Sequence, residues 1–316
     1  MDPKELYLKN SIIKKINTAK SQQFEFNLEK MNFSIGEEKR KKNRNNSNIN
    51  NPPPDIYNNG TNFKDHSDKN QNKANKLRLS KISKTNKLLD LEILSSWNLP
   101  KGFLLHIDRF GIENSLRKKY DGITFFGYEK ENHDSNKNYN IDYIISPKDL
   151  SIIDEKYIGR HFQIRYDENI NNYYIKDLGF GFGVFIKLDK EILIKQNLLI
   201  NIGETYIIFY INKNELKLKI FRESEKTIEY TFNGEENDYI LIGRNNNSDV
   251  YIEDKMLSRI QCNIFYKNDG WFLKDGDLQG KASTNRTWFY CSDETLIYNE
   301  MIFKTNHILF KCVLRE

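Results

Sequence analysis

From Trp97 to Glu316 the chain is written as short alternations of Ile, Leu, Phe and Tyr with polar residues, broken every few positions by Asn, Asp and Gly. A period of two is what a strand with one buried face requires, and the turn residues keep each strand short. Such a stretch folds as a sandwich or barrel of short strands. No apolar run approaches the ~20 residues that a bilayer-spanning helix needs. The expected fold is all-β, with no membrane segment.

The alternation also repeats. Asp154–Ile158 through Ile164–Tyr166 matches Asp254–Ser258 through Ile264–Tyr266 at a constant offset of one hundred. Tyr173–Asp177 matches Trp271–Asp275 at an offset of ninety-eight, and Ile123–Tyr128 resembles Tyr239–Arg244 in pattern. Internal self-similarity on this scale predicts two tandem β-sandwiches, over 96–213 and 215–316. The first copy carries a polar insertion from Glu129 to Asn140, expected to be a loop.

The second copy concentrates anion-binding side chains in its loops. Gly243-Arg244, Leu257-Ser258-Arg259 and Ser283-Thr284-Asn285 fall at strand ends or between strands. If those ends converge, Arg244, Ser258, Arg259, Thr284 and Asn285 would offer positive charge with hydroxyl and amide donors, a set suited to a phosphate on a flexible peptide. The ordered set resembles the forkhead-associated (FHA) domain family: Gly-Arg, about a dozen residues, Ser-Arg-x-His, then Thr/Ser-x-Asn-Gly-Thr. The resemblance covers 215–316 and implies a β-sandwich that binds phosphothreonine peptides. It implies that Arg244 and Ser258 contact the phosphate, with Arg259 beside them. Thr284 would contact the phosphate or the neighbourhood of the phosphothreonine, and Asn285 would hold the peptide backbone.

Two positions depart from the family. Its histidine is Gln261 here, and glutamine can replace the hydrogen bonding of that loop scaffold. The glycine after Asn285 is Arg286, which is strained if the turn needs a positive φ and otherwise adds a positive group near the pocket. The first copy departs throughout. Its equivalents are Gly127-Tyr128, Ile158-Gly159 and Gly179–Phe182, with His161 at the scaffold position and Arg160 as a lone cation. Every phosphate ligand type is gone, so this copy is expected to be a degenerate FHA-like sandwich. Phe180, Phe182, Tyr128 and Ile158 would leave an apolar patch there that meets another protein or the second domain.

Charge divides the chain differently. Residues 1–95 hold 19 Lys and Arg against 11 Asp and Glu, a net +8; the remainder hold 30 against 33, a net −3. The domain-forming part therefore lacks the basic surplus of a nucleic-acid binder. Residues 21–76 are rich in Asn, Lys and Ser with few large apolar groups, a composition expected to be disordered. The run Lys39–Arg44 reads as a solvated charge run, a nuclear-import signal being its other reading. Asp2-Pro3-Lys4-Glu5 followed by Leu8, Ile12, Ile13 and Ile16 predicts a short amphipathic helix over 3–19. Residues 1–95 are thus expected to be a mostly disordered basic tail.

Catalytic chemistry is hard to find. Cys262, Cys291 and Cys312 have neither C-x-x-C spacing nor a histidine in motif context, which argues against zinc, disulfides and a thiol nucleophile. Gly179–Gly183 lacks the lysine of a phosphate loop, and Asp275-Gly276-Asp277 has too few ligands for calcium. Met-Asp-Pro-Lys-Glu-Leu lacks the basic-then-apolar order of a secretory signal, so none is expected. The expectation is an intracellular, cytoplasmic or nuclear, non-catalytic adaptor without metal or cofactor that binds a phosphothreonine protein. Phosphorylation-independent docking through both sandwiches is the alternative.

Overall fold

The computed structural model describes residues 86–129, 140–146, 157–222, 226–237, 239–305 and 308–316. The expected helix over 3–19, the basic run and most of the 129–140 insertion lie outside them. The described residues contain no α-helix and are organised as twenty-one strands. The all-β expectation holds.

The first eight strands are β1 (Leu88–Ser95), β2 (Leu104–Asp108), β3 (Gly111–Ile112), β4 (Ile123–Tyr128), β5 (Tyr143–Ile144), β6 (Gly159–Asp167), β7 (Asn172–Asp177) and β8 (Val184–Lys187). Ten more run on as β9 (Ile192–Leu193), β10 (Leu199–Ile202), β11 (Thr205–Asn212), β12 (Glu215–Phe221), β13 (Ile228–Asn233), β14 (Tyr239–Gly243), β15 (Val250–Tyr251), β16 (Cys262–Lys267), β17 (Gly270–Asp275) and β18 (Trp288–Tyr290). The last three are β19 (Thr295–Leu296), β20 (Ile302–Thr305) and β21 (Ile308–Arg315). Strand β1 begins inside the segment expected to be tail. Leu89, Leu91 and Ile93 alternate inward and are fully buried, which makes it a core strand.

One eleven-stranded sheet runs β13-β12-β11-β10-β18-β8-β20-β21-β1-β2-β3. Two five-stranded sheets, β15-β14-β16-β17-β9 and β5-β4-β6-β7-β19, complete the fold. Two cores result. One gathers side chains from Leu89 to Ile186 and again from Cys291 to Cys312; the other draws every buried member from Leu188 to Leu273. Each lobe is thus a sandwich in which alternating residues of two sheets meet.

The lobes do not follow the division expected at 213/215. The chain leaves the first lobe after β8, builds the second from β9 to β18, and returns with β19, β20 and β21. Those last strands pair with β7, β8 and β1, across gaps of one hundred to more than two hundred residues. Correspondingly, β9 pairs with β17 of the second lobe, and β10–β11 forms a continuous ladder with β12. Among the described residues, the strand pairing that joins the lobes is the one between β8 and β18, which is antiparallel. The two repeats have exchanged their closing strands. Sequence periodicity identifies which side chains point inward, and either copy's closing hairpin satisfies that pattern, so the exchange left no local signal.

The exchange is cemented by aromatic packing. Phe126 stacks on Phe162 with centroids 4.4 Å apart, and Phe162 meets the edges of Phe303 and Phe310 at 5.7 and 6.3 Å. Burying a side chain of this size contributes roughly 1.5–3 kcal/mol. Phe303, Ile308 and Phe310, with Cys291, Ile297, Met301 and Cys312, therefore make the returning strands indispensable to a core whose remaining members come from the first repeat.

Candidate functional site

The site lies where β14 ends and the loops before β16 and β18 begin. Gly243 closes β14 because nothing larger fits: a Cβ there would lie 2.1 Å from the carbonyl oxygen of Arg259. This close approach lets the backbone N–H groups of Arg244 and Asn245 donate to Ser258 O and Arg259 O, at 3.2 and 3.1 Å. Arg244 is thereby set against the loop that carries Ser258, and its Nε donates to Leu257 O at 2.7 Å. Its terminal nitrogens have no hydrogen bond or ion pair among the described residues, and the side chain is exposed.

Ser258 links this loop to the next. The Thr284 backbone N–H donates to Ser258 Oγ at 2.9 Å, and that hydroxyl lies 3.3 Å from Thr284 Oγ1. Asn285 ties the same two loops, its Nδ2 donating to Met256 O at 2.6 Å. The indole N–H of Trp288 fixes Asn285 from behind by donating to its carbonyl oxygen at 3.0 Å. Four of the five expected residues, Arg244, Ser258, Thr284 and Asn285, are thus joined through one loop cluster. Arg259 is exposed, and its side chain makes no hydrogen bond or ion pair among the described residues.

The two departures are resolved differently. Gln261 is fully buried, and both polar atoms of its carboxamide are hydrogen-bonded. Its Oε1 accepts the Ser258 backbone N–H at 3.0 Å, while Nε2 donates to Ser283 Oγ at 2.8 Å and to Arg286 O at 3.0 Å. Arg286 takes a φ of 61°, a left-handed conformation that costs a residue with a Cβ roughly 1–2 kcal/mol. Its guanidinium reaches Asp275 at 3.5 Å rather than standing free. Asp275 is itself the anchor of this loop, accepting from Ser283 Oγ at 2.6 Å and Thr287 Oγ1 at 2.8 Å.

Sequence reasoning missed the residues beneath the Ser258 loop. Asp254, 5 % exposed, accepts the backbone N–H of Met256 at 2.7 Å with one oxygen and that of Glu204 at 3.0 Å with the other. Glu204 belongs to the β10–β11 turn of the first repeat, so no local pattern could connect it with the site. Gly203 in that turn has a φ of 54°, and a Cβ on it would lie 2.6 Å from Asp254 Oδ2.

The equivalent end of the first lobe has a different surface. Gly127 repeats the close approach, with a Cβ there 2.0 Å from Gly159 O. Arg160 does not face outward as a lone cation: it lies over the Phe125 ring at 3.9 Å and donates from Nε to Asn140 O at 2.8 Å. Buried His161 is held through Nε2 by Tyr157 O at 2.7 Å. Phe180 is 47 % exposed, Phe182 and Ile158 are half-buried, and Tyr128 is buried, so the apolar patch is smaller than its four expected members. The cysteines are core residues. All three are buried, and desolvation raises their thiols above the ordinary range, Cys291 to about 12.

Residues 240–306 match the model of the FHA domain family. FHA domains are β-sandwiches that as a class bind phosphopeptides rather than catalyse reactions. The FHA match takes in all five expected site residues, and it crosses the point where the chain returns to the first lobe: 240–290 lie in the second, 291–305 in the first. No curated protein matches the chain. No helix among the described residues is long and apolar enough to cross a membrane.

Proposed function

We propose that the protein is a non-catalytic adaptor that binds phosphothreonine-containing proteins through the loops of its second sandwich. Arg244 supplies the fixed charge, Ser258 and Thr284 supply hydroxyl contacts to the phosphate, Arg259 adds charge beside them, and Asn285 holds the peptide backbone. The observation that carries this reading is the cluster in which Ser258 Oγ meets Thr284 while Arg244, fastened through Nε, is exposed and has no partner for its terminal nitrogens among the described residues. A guanidinium with free terminal nitrogens matches phosphate geometry, and each charge-assisted bond contributes roughly 1.5–3 kcal/mol. The first sandwich, without these ligands, serves as scaffold and docking surface. The adaptor acts inside the cell, where phosphothreonine is made.

Titration of the full chain with matched phosphothreonine and threonine peptides tests the proposal. Phosphorylated members of an oriented library bind, their unphosphorylated counterparts do not, and Arg244→Ala removes most of the difference, about tenfold or more in affinity. Equal weak binding of both peptides would overturn it. A second reading, docking that ignores phosphorylation, is favoured by the exposure of Phe180 beside half-buried Phe182. It predicts partner capture that resists phosphatase and is lost on Phe180→Asp.

A further inference from the structure

The outward face of the long sheet is apolar where the lobes meet. Phe185, Leu199, Ile208 and Phe221, on β8, β10, β11 and β12, form one cluster there, ringed by Tyr206, Tyr210, Trp288 and Tyr290. A face open to water would carry polar side chains at these alternating positions. The four central side chains are only 0–7 % exposed, although among the described residues every apolar side chain grouped with them belongs to the same sheet. A sheet face buried to this degree needs a second layer.

We propose that residues 3–19 form that layer, as an amphipathic helix seated across the β8–β18 seam. Leu8, Ile12, Ile13 and Ile16 would make one apolar stripe of such a helix, with Lys4, Ser11, Lys14 and Thr18 on the side away from it. A helix this short is marginal alone and gains stability by docking its apolar face. Reach is sufficient. A coil of about 66 residues, the length of chain from 20 to 85, would reach about 45 Å, comparable to the ~48 Å width of an eleven-stranded sheet. It joins β1 in that same sheet. Docked there, the segment clasps the strands that each repeat has contributed to the other's lobe.

Hydrogen exchange on the full chain, read by mass spectrometry on peptides covering residues 2–20, tests the clasp. Docking slows exchange of this segment about tenfold or more relative to an isolated peptide of the same sequence. The protection disappears both in Tyr210→Glu, on the face, and in Ile12→Asp, on the segment. Because Ile12→Asp leaves the sheets untouched, loss of protection there is not a folding defect; peptides from β4 to β7 report the fold in both variants. Exchange at the isolated-peptide rate would overturn the proposal, as would protection that survives both substitutions. Protection that rises with protein concentration would also overturn it, by making a second copy the occupant.

Discussion

Asp254 accepts the backbone N–H of Glu204 at 3.0 Å, fastening the loop that carries Ser258 to a turn contributed by the other repeat. The same carboxylate holds Met256, whose carbonyl oxygen in turn holds Asn285. A buried carboxylate with two backbone donors is difficult to replace, because each donor left without a partner costs roughly 1–3 kcal/mol.

Asp254→Ala is therefore expected to destabilise the protein by about 2–4 kcal/mol and to weaken phosphopeptide binding, although residue 254 is not among the proposed ligands. Gly203→Ala should act in the same direction through its φ of 54° and the 2.6 Å approach to Asp254 Oδ2. Urea unfolding beside peptide titration checks both.

The loop scaffold gives a paired prediction. Gln261→Leu leaves Ser258 N–H, Ser283 Oγ and Arg286 O without their buried partner, and should cost about 2–4 kcal/mol. Arg286→Gly should stabilise by about 1 kcal/mol by relieving the left-handed strain. The ion pair it removes is 3.5 Å long and its arginine is 44 % exposed, a class of pair that contributes little. Shifts of the urea midpoint in opposite directions are the expected result.

Fragments should follow the lobes rather than the repeats. Residues 188–290 contain every buried member of the second core, and should fold cooperatively when expressed alone. Residues 215–316 lack β9, β10 and β11, and they carry Phe303 and Phe310 without the core these enter, so they should stay unfolded or aggregate. Circular dichroism melts of the two fragments decide between the divisions.

Lys304 gives a pH dependence. Desolvation lowers it to about 7, although Asn201 Oδ1 at 2.8 Å and the Trp288 ring at 4.6 Å favour the charged form. Between that value and the ordinary lysine range the unfolded chain holds a proton that the folded one does not, so this contribution to stability rises with pH upward from about 7. Buried tyrosines and thiols act in the opposite sense at higher pH, Tyr206 and Cys291 both being raised to about 12 by desolvation. Denaturant melts of Lys304→Met against wild type at pH 7 and ~8.5 should show a flatter profile for the variant.

Much of this was legible in the residues. Inward alternation marks Ile240, Ile242, Ile264 and Leu273 as core, and all are fully buried. The ordered Gly-Arg, Ser-Arg and Thr-Asn set placed the loops that Ser258 and Thr284 connect. Asp254 was visible only as one acid in a polar run, because its partner Glu204 lies fifty residues away and donates through its backbone. The route of the closing hairpins was not legible either. Ile302–Thr305 alternates in the same way whichever lobe receives it, and only β1, read as part of the tail, could have shown that the first lobe needed a neighbour for β21.

Leu88 pairs with Arg315 as Asn212 pairs with Glu215: each of these ladders sets the last strand of one repeat antiparallel to the first strand of the other. The two junctions are equivalent, and only one of them is covalently joined by a turn. In topological terms the fold is a ring with a single cut. A circular permutant that closes the β21–β1 junction and opens instead between Lys213 and Asn214 would keep both sandwiches and the same site.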